Sequence, residues 1–336
     1  MRERFYFICQ SLTVTVLTFV LFQALQANHV PSEWLPAGDW LLDWSDEFTG
    51  EGTVEKWYPM LGYTPEEFAN KSSKGLRWNG STEASAQMYS ARKGQHWLNG
   101  DGQLIIRASS SRSTSNENGP IVETAYLMTG FPQSWDESEP TKVKWSGKFV
   151  SPQEGALYIS ARVRTDQVVG HSTWFAFWLF SQTRAYNGNP IDGTEVDVIE
   201  IAKGAKSYLD HSFNVANHWA KTGGSESKQF NPLSDPTALS LVDVMDSDYH
   251  IYGLEWSTDW MKCYVDGQLY YTFTDNIPSD PIDMMLMLTM EFQLNAWDPQ
   301  QGDGRNSGPF VSETEQSREM SRAVIDYVRV YRALSE

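Results

Sequence analysis

One six-residue segment places three acidic side chains inside a sequence typical of a buried β-strand. Residues 195–200 read Glu-Val-Asp-Val-Ile-Glu, and Val and Ile favour an extended backbone whose side chains alternate between two faces. Glu195 and Asp197 therefore point the same way. Glu200 would point the opposite way unless a one-residue β-bulge within Val198-Ile199 returns it to their face. The pattern predicts a bulged strand with three carboxyl groups on one face.

Three carboxyl groups held this close cannot all ionise easily near neutral pH. Their repulsion raises the pKa of at least one of them, which keeps its proton beside an ionised neighbour. Retaining glycoside hydrolysis uses such a pair, in which a carboxylate attacks the sugar carbon and an acid about 5 Å away donates to the leaving oxygen. The alternative is a solvated strand whose polar face happens to be acidic, and the neighbouring segments bear on that choice.

An aromatic segment precedes the acidic strand. Residues 171–180 read His-Ser-Thr-Trp-Phe-Ala-Phe-Trp-Leu-Phe, and a loop rich in Gly, Asn and Pro follows at residues 182–194. Consecutive strands are usually neighbours, so we expect the aromatic and acidic strands to pair. Alternation places Trp174, Ala176, Trp178 and Phe180 on one face of the aromatic strand. One face then lines the core and the other is available to line a cleft.

Short apolar runs separated by turn-rich stretches predict an all-β domain. Such runs occur at residues 104–108, 123–128, 158–163 and 284–290, and no long amphipathic helical pattern accompanies them. A chain of 336 residues with 40% apolar residues is long enough to bury a substantial single core. The pattern is typical of a β-sandwich.

The first residues of the chain differ from the rest. Arg2 and Arg4 supply positive charge, residues 5–22 are largely apolar, and Leu25-Gln26-Ala27 offers a small residue for cleavage. These features predict a secretory signal peptide over residues 1–27 and a secreted, extracellular or periplasmic protein. Retention of the segment as a membrane anchor is the alternative.

Net charge, cysteine content and histidine spacing argue against several classes of partner and cofactor. The net charge of −17 disfavours binding to nucleic acid or to anionic membranes. Removal of the signal would leave Cys263 as the one cysteine, which we expect in the core and outside any intrachain disulfide. No pair of histidines has zinc-ligand spacing, so we expect no catalytic metal. The sequence does not indicate an oligomeric state.

Together with other segments, the acidic strand resembles glycoside hydrolase family 16. The resemblance is to the branch with a bulged E-x-D-x-x-E strand, which includes laminarinases, agarases, porphyranases and κ-carrageenases. Segments 41–48, 249–256 with 264–267, and 325–331 are similar to the opening strand, the late hairpin and the closing strand of the family. The resemblance implies a jelly-roll β-sandwich of the concanavalin A-like lectin and glucanase type with a concave cleft. It also implies a catalytic domain over residues 40–333, after an N-terminal linker at 28–39.

Roles for the acidic residues follow from this resemblance. It implies that Glu195 is the nucleophile, that Glu200 is the general acid and base, and that Asp197 orients and tunes the nucleophile. The reaction would retain the anomeric configuration and would need no cofactor. The resemblance also implies a structural calcium ion, with Asp326 as one ligand.

The expected partner is a polysaccharide, because pyranose rings stack on flat aromatic faces and the chain holds 14 Trp, 15 Tyr and 16 Phe. Trp174 is the leading aromatic candidate for a sugar subsite, with core packing as its alternative. His218 and Trp219 resemble a family position near the scissile bond. Arg184 would suit a sulphate group unless it is a solvated loop charge, and Trp297 lies in a long loop that suits a cleft wall.

Two substrate classes remain open from the sequence, a β-1,3-glucan and a red-algal galactan. The stretch Ile201-Ala202-Lys203-Gly204 departs from the aromatic version common in laminarinases, which leaves laminarin in doubt. The function expected is that of a secreted endo-β-glycanase. A non-catalytic carbohydrate-binding protein and a transglycosylase on the same fold are the alternatives.

Overall fold

The structure is a computed structural model, and eighteen β-strands lie in the part of the chain that it describes. The described residues are 33–50, 56–59, 89–91, 95–111, 121–134, 144–168, 173–181, 195–201, 213–221, 224–232, 243–244, 246–279, 284–292 and 319–334. The strands are β1 Trp40–Asp46, β2 Tyr58–Pro59, β3 Tyr89–Ala91, β4 His96–Leu98, β5 Leu104–Ser111, β6 Ile121–Met128, β7 Gly130–Ser134, β8 Lys144–Gly147, β9 Leu157–Arg164, β10 Thr173–Ser181, β11 Glu195–Ile201, β12 Asn214–Lys221, β13 Gly224–Phe230, β14 His250–Trp256, β15 Met261–Val265, β16 Gln268–Phe273, β17 Met284–Phe292 and β18 Glu319–Ala333. A short 3-10 helix spans Pro152–Glu154.

Most of these strands form two antiparallel layers that share β6. The first sheet has the order β13-β12-β11-β10-β17-β6, and the second continues β6-β5-β18-β9-β14-β15-β16. Residues Ala125–Met128 of β6 pair with β17, whereas Ile121–Glu123 pair with β5. One strand therefore passes from one layer to the other. The predicted all-β sandwich is confirmed.

The core lies between the two sheets and takes alternate residues from each strand. On β10 it takes Phe175, Phe177 and Leu179, while β14 supplies Leu254 and Trp256, and all five are fully buried. The period-two alternation predicted for the aromatic strand is confirmed. Cys263 also lies in this core, and burial raises the pKa of its thiol.

The predicted strands of the sandwich are also confirmed, including the opening strand, the late hairpin and the closing strand. Contacts along the chain separate residues 1–35 from a compact unit, Pro36–Glu336, that holds every described strand. The predicted signal peptide at 1–27 lies outside the described residues. The linker at 28–39 and the domain boundary at residue 40 stay predictions. Among the described residues, no helix has the length and apolarity needed to cross a membrane.

A buried histidine joins the start of β14 to the turn between β15 and β16. The Nδ1 atom of His250 lies 2.6 Å from Asp266 Oδ2, and its Nε2 atom lies 3.0 Å from Asp246 Oδ1. Burial lowers the pKa of His250, but the two carboxylates outweigh burial and raise it above its ordinary value. With a carboxylate at each ring nitrogen, the imidazolium form is the better bound.

This arrangement predicts a pH-dependent contribution to stability. Replacing His250 with Asn should lower the free energy of unfolding by about 2 kcal/mol near pH 5.5, because charge-assisted hydrogen bonds are lost. The folded-state pKa lies above the unfolded value of about 6.5, so the contribution is complete below that value and is lost as the pH rises through the folded-state pKa. Urea unfolding of both proteins near pH 5.5 and near pH 9 measures the difference.

The matched control is Asp248→Asn, which neutralises an exposed carboxylate in the segment that holds Asp246, just before β14. That variant should leave the free energy of unfolding almost unchanged at both pH values. A His250→Asn deficit that is equally large at both pH values would contradict the electrostatic explanation.

Candidate active site

A β-bulge in β11 brings the three acids of the strand to one face. Asp197 lies opposite Trp178 on β10, and Ile199 lies opposite Phe177, so Val198 is the extra residue. The register with β12 shifts in the same place, between Asp197 and Glu200. The bulge predicted within Val198-Ile199 is therefore confirmed.

The apolar residues of the bulge explain why it forms there. Val198 and Ile199 are 2% and 0% exposed, and both belong to the core. A regular strand would turn one of two consecutive residues away from the core, whereas the bulge buries both. The next residue, Glu200, is thereby returned to the face that carries Asp197, opposite Ala176 of β10.

His218 of β12 lies against two of the acids. Its Nε2 atom is 3.2 Å from Asp197 Oδ2 and 3.6 Å from Glu195 Oε1. The side chain of Asp197 is 5% exposed, whereas that of Glu195 is 24% exposed. Glu195 is therefore the carboxylate that a ligand reaches more readily, whereas Asp197 is buried, and His218 lies beside both.

Glu200 sits in a different environment from its two neighbours. The Nδ2 atom of Asn214 donates a hydrogen bond to Glu200 Oε2 at 2.8 Å. Removal from water raises the pKa of Glu200 well above its ordinary value, and the negative charge of Asp197 raises it further, while the Asn214 hydrogen bond opposes both. The strand thus presents a carboxyl group that holds its proton on the same face as Glu195.

The residues Trp174, Trp178 and Phe180 of β10 lie on the acid-bearing face. Trp174 and Trp178 are 6% and 2% exposed and belong to a second apolar cluster on that face. The cluster contains Tyr126, Met128, Trp174, Ala176, Trp178, Met285 and Met287, with Phe149 and Phe180 packed against it. Neighbouring side chains therefore cover most of Trp174. Its role in stacking on a sugar stays a prediction.

The other predicted substrate-binding residues fall into two groups. His218 lies beside the acids, but Trp219 is the next residue of β12 and points to the opposite face from His218. Alternation along β12 therefore separates a pair that the sequence prediction had treated together. Arg184 and Trp297 lie outside the described residues, and their proposed roles stay predictions.

Two further polar residues of the site were not identified from the sequence. Asn214 contacts Glu200 because the two residues are opposite each other across β11 and β12. Glu291 lies on β17, opposite Trp174, and is 5% exposed. An acid inside the apolar run 284–292 is the same signal that marked β11, and it would have identified Glu291.

Asp326, the predicted calcium ligand, has a cationic partner instead. Its Oδ2 atom accepts a hydrogen bond from Arg162 Nη1 at 2.6 Å. Calcium needs six to eight oxygen ligands, so a guanidinium at this carboxylate does not fit such an ion. Within the described residues, the one group of three potential metal-ligating side chains is Glu195, Asp197 and His218, whose ligand atoms lie within 4.8 Å of one another.

Comparisons with known proteins identify a family, related chains and a shared fold. The family model described as Glycosyl hydrolases family 16 matches residues 100–329. The chain is 25% identical over 295 residues to a glucan endo-1,3-beta-glucosidase of Cryptopygus antarcticus, covering 82% of this chain and 91% of that protein. It is 27% identical over 311 residues to a beta-glucanase of Rhodothermus marinus, covering 88% and 86% of the two chains. The endo-beta-1,3-glucanase structure from Pyrococcus furiosus has a TM-score of 0.59 at 19% identity, covering 90% and 98%.

The contact between Asn214 and Glu200 predicts how a substitution shifts the protonation of the acid. Asn214→Ala should raise the pKa of Glu200 further, because a hydrogen bond that favours the charged carboxylate is lost. Titration of the carboxyl carbon by NMR, with the Glu200 signal identified from Glu200→Gln, measures the shift. Asn217→Ala is the matched control, since Asn217 lies on the same strand but bonds to the backbone oxygen of Asn276. An equal shift in both variants would refute a direct effect of Asn214.

Proposed function

Because the chain belongs to glycoside hydrolase family 16, and is therefore a glycoside hydrolase, we propose that it cleaves internal β-1,3-glucosidic bonds of a glucan with retention of configuration. The two relatives named as a glucan endo-1,3-beta-glucosidase and a beta-glucanase support the choice of a glucan. The observation that carries the proposed mechanism is the bulge in β11, which puts Glu195 and Glu200 on one face.

In the first step, Glu195 attacks the anomeric carbon while Glu200 protonates the departing oxygen. Glu195 suits the nucleophile because it is the more accessible of the two carboxylates beside His218. Glu200 suits the acid because burial and the charge of Asp197 favour its protonated form. The bond from the anomeric carbon to the leaving oxygen breaks as the bond to Glu195 forms, and the proton of Glu200 leaves with the released chain.

In the second step, water releases the sugar from Glu195. Glu200 is now ionised, so it takes a proton from the water that attacks the anomeric carbon. The proton returns Glu200 to its starting form, and Glu195 leaves as a carboxylate. Two displacements at the same carbon restore the original anomeric configuration.

Asp197 and His218 support the nucleophile. An N–H at Nε2 of His218 would lie between the two carboxylates, 3.2 Å from Asp197 and 3.6 Å from Glu195. Such a donor is hydrogen-bonded to Asp197 and lies close enough to Glu195 to offset part of the repulsion between the two acids. The ionised form of Glu195, which attacks the sugar, is thereby favoured.

We also propose that the protein works outside the cytoplasm on a polymer in its surroundings. The apolar leader at residues 1–27 supports export. A polysaccharide is too large to enter most cells, so an endo-acting enzyme meets it outside.

Variants of the acids test the proposed roles. Glu195→Gln should lower the rate of reducing-end release from laminarin about a thousandfold or more, because the attacking oxygen is lost. Glu200→Gln should lower it about a hundredfold or more through loss of the proton donor. The matched control is Glu226→Gln, an exposed acid in the same sheet, which alternation places on the face opposite the three acids. It should stay within about twofold of the unchanged protein.

The substrate panel tests the rest of the proposal. Laminarin, lichenan, agarose, porphyran and κ-carrageenan are offered to the purified protein, and NMR follows the anomeric form of the first product. Cleavage of a galactan without cleavage of laminarin would overturn the glucan assignment, and an inverted product would overturn the mechanism. Longer chains among the products would indicate a transglycosylase, and binding without cleavage would indicate a carbohydrate-binding protein.

A further inference from the structure

A fourth carboxyl group faces the same side of the first sheet as the three acids of β11. Glu200 lies opposite Ala176 on β10, and Ala176 lies opposite Thr289 on β17. Glu291 is two residues further along β17, opposite Trp174, and therefore faces the same side as Thr289. Glu200, Ala176 and Thr289 are aligned across β11, β10 and β17, and the side chain between the outer two is the methyl group of Ala176. No bulky side chain of β10 therefore separates Glu200 from β17 at this position.

A directed chain of hydrogen bonds fixes the carboxyl group of Glu291. The indole Nε1 of Trp178 donates to Thr289 Oγ1 at 3.0 Å, and Thr289 Oγ1 donates to Glu291 Oε1 at 2.8 Å. The oxygen of Thr289 thus accepts from the indole N–H, and its one proton is donated to Glu291. A carboxylate accepts hydrogen bonds at both oxygens, and a hydroxyl donor stabilises its negative charge.

Burial increases the distance over which the charge of Glu291 acts. Glu291 is 5% exposed, and Thr289 and Trp178 are 0% and 2% exposed. A charge held away from water is screened less than one on the surface, so it acts over a longer distance. The negative charge of Glu291 is among the causes that raise the pKa of Glu200.

Among the residues that the structure describes, the groups that face Glu200 come from its own strand and from β10, β12 and β17. On its own strand they are Asp197 and Glu195, and on β12 they are Asn214 and His218. The residues of β10 on this face, Trp174, Ala176, Trp178 and Phe180, carry no charge. Glu291 is thus the charged group that β17 adds from the side away from Glu195.

We propose that Glu291 is a positioning residue that keeps the proton on Glu200 between turnovers, with Thr289 and Trp178 holding its carboxylate in place. The inference rests on the proposed role of Glu200 as the proton donor. Glu291 acts through space, because its charge makes the loss of the Glu200 proton less favourable. It would explain why an apolar strand carries a buried acid at this position.

The pH dependence of kcat/KM for laminarin tests the inference. Glu291→Gln removes the charge, so Glu200 should lose its proton at lower pH, and the alkaline limb of the profile should move down by about half a pH unit or more. Glu291→Asp keeps a negative charge and should stay closer to the unchanged protein. Thr289→Val removes the hydroxyl that directs Glu291 and should move the limb in the same direction, whereas Thr289→Ser should not. If Glu291→Gln does not fold, the two Thr289 variants test the inference.

A matched buried acid separates this effect from general damage to the fold. Glu255 is 8% exposed and accepts hydrogen bonds from Tyr264 Oη at 2.7 Å and Lys262 Nζ at 3.3 Å, but it lies on β14 of the second sheet. Glu255→Gln should leave the alkaline limb in place, whatever its effect on stability. An equal shift in Glu255→Gln would overturn the inference.

Glu200→Gln distinguishes failure of this inference from failure of the proposed function. If Glu200 is the acid, this variant should cleave a β-glucoside with a nitrophenyl leaving group far better than laminarin, because that group departs without a proton. Normal activity on laminarin would refute the proposed role of Glu200, and the inference about Glu291 with it. If Glu200→Gln behaves as expected while Glu291→Gln and Thr289→Val leave the alkaline limb unmoved, the inference alone is wrong.

Discussion

The bulge at Val198 is the constraint on which the site depends. A strand of alternating faces cannot serve a core on one side and place acids at positions 195, 197 and 200 on the other, unless one residue is added to its register. Burial of Val198 and Ile199 stabilises that irregularity, since each buried side chain of this kind contributes about 1.5–3 kcal/mol. Without the bulge Glu200 would face the core, where an unpaired carboxylate is costly. The packing of two apolar side chains therefore decides where the acid points.

Acidic side chains have different partners on the two sheets. On the second sheet, Arg329 donates to both carboxylate oxygens of Glu47 at 2.9 and 2.8 Å, and this hydrogen bonding lowers the pKa of Glu47. Asp326 is likewise paired with Arg162. On the first sheet, Glu200 receives an amide donor from Asn214 and the repulsion of neighbouring acids. Pairing with arginine favours an ionised carboxylate, whereas burial among other acids favours a retained proton. The protonation of an acidic side chain therefore depends on which partners surround it.

Polar residues around Glu200 oppose one another. The Asn214 hydrogen bond favours the ionised carboxylate, while the charges of Asp197 and Glu291 favour the protonated form. A residue that both donates and accepts a proton needs such a balance, because a proton held too firmly or too loosely slows one of the two steps. The register of β10, β11, β12 and β17 determines this balance, since β11, β12 and β17 contribute its polar groups and β10 aligns β17 with β11.

The features that depend on local period could be predicted from the sequence. The alternation along β10, the bulge in β11 and the shared face of Glu195, Asp197 and Glu200 follow from the spacing of apolar residues, because backbone geometry relates positions a few residues apart. Which distant residues meet the acids depends on the tertiary fold. Glu291 and Thr289 reach the site because β17 pairs with β10, and Arg162 meets Asp326 because β9 pairs with β18. Pairing between strands far apart in the chain depends on the packing of both sheets around one core. The local spacing of apolar residues does not indicate which strands pair.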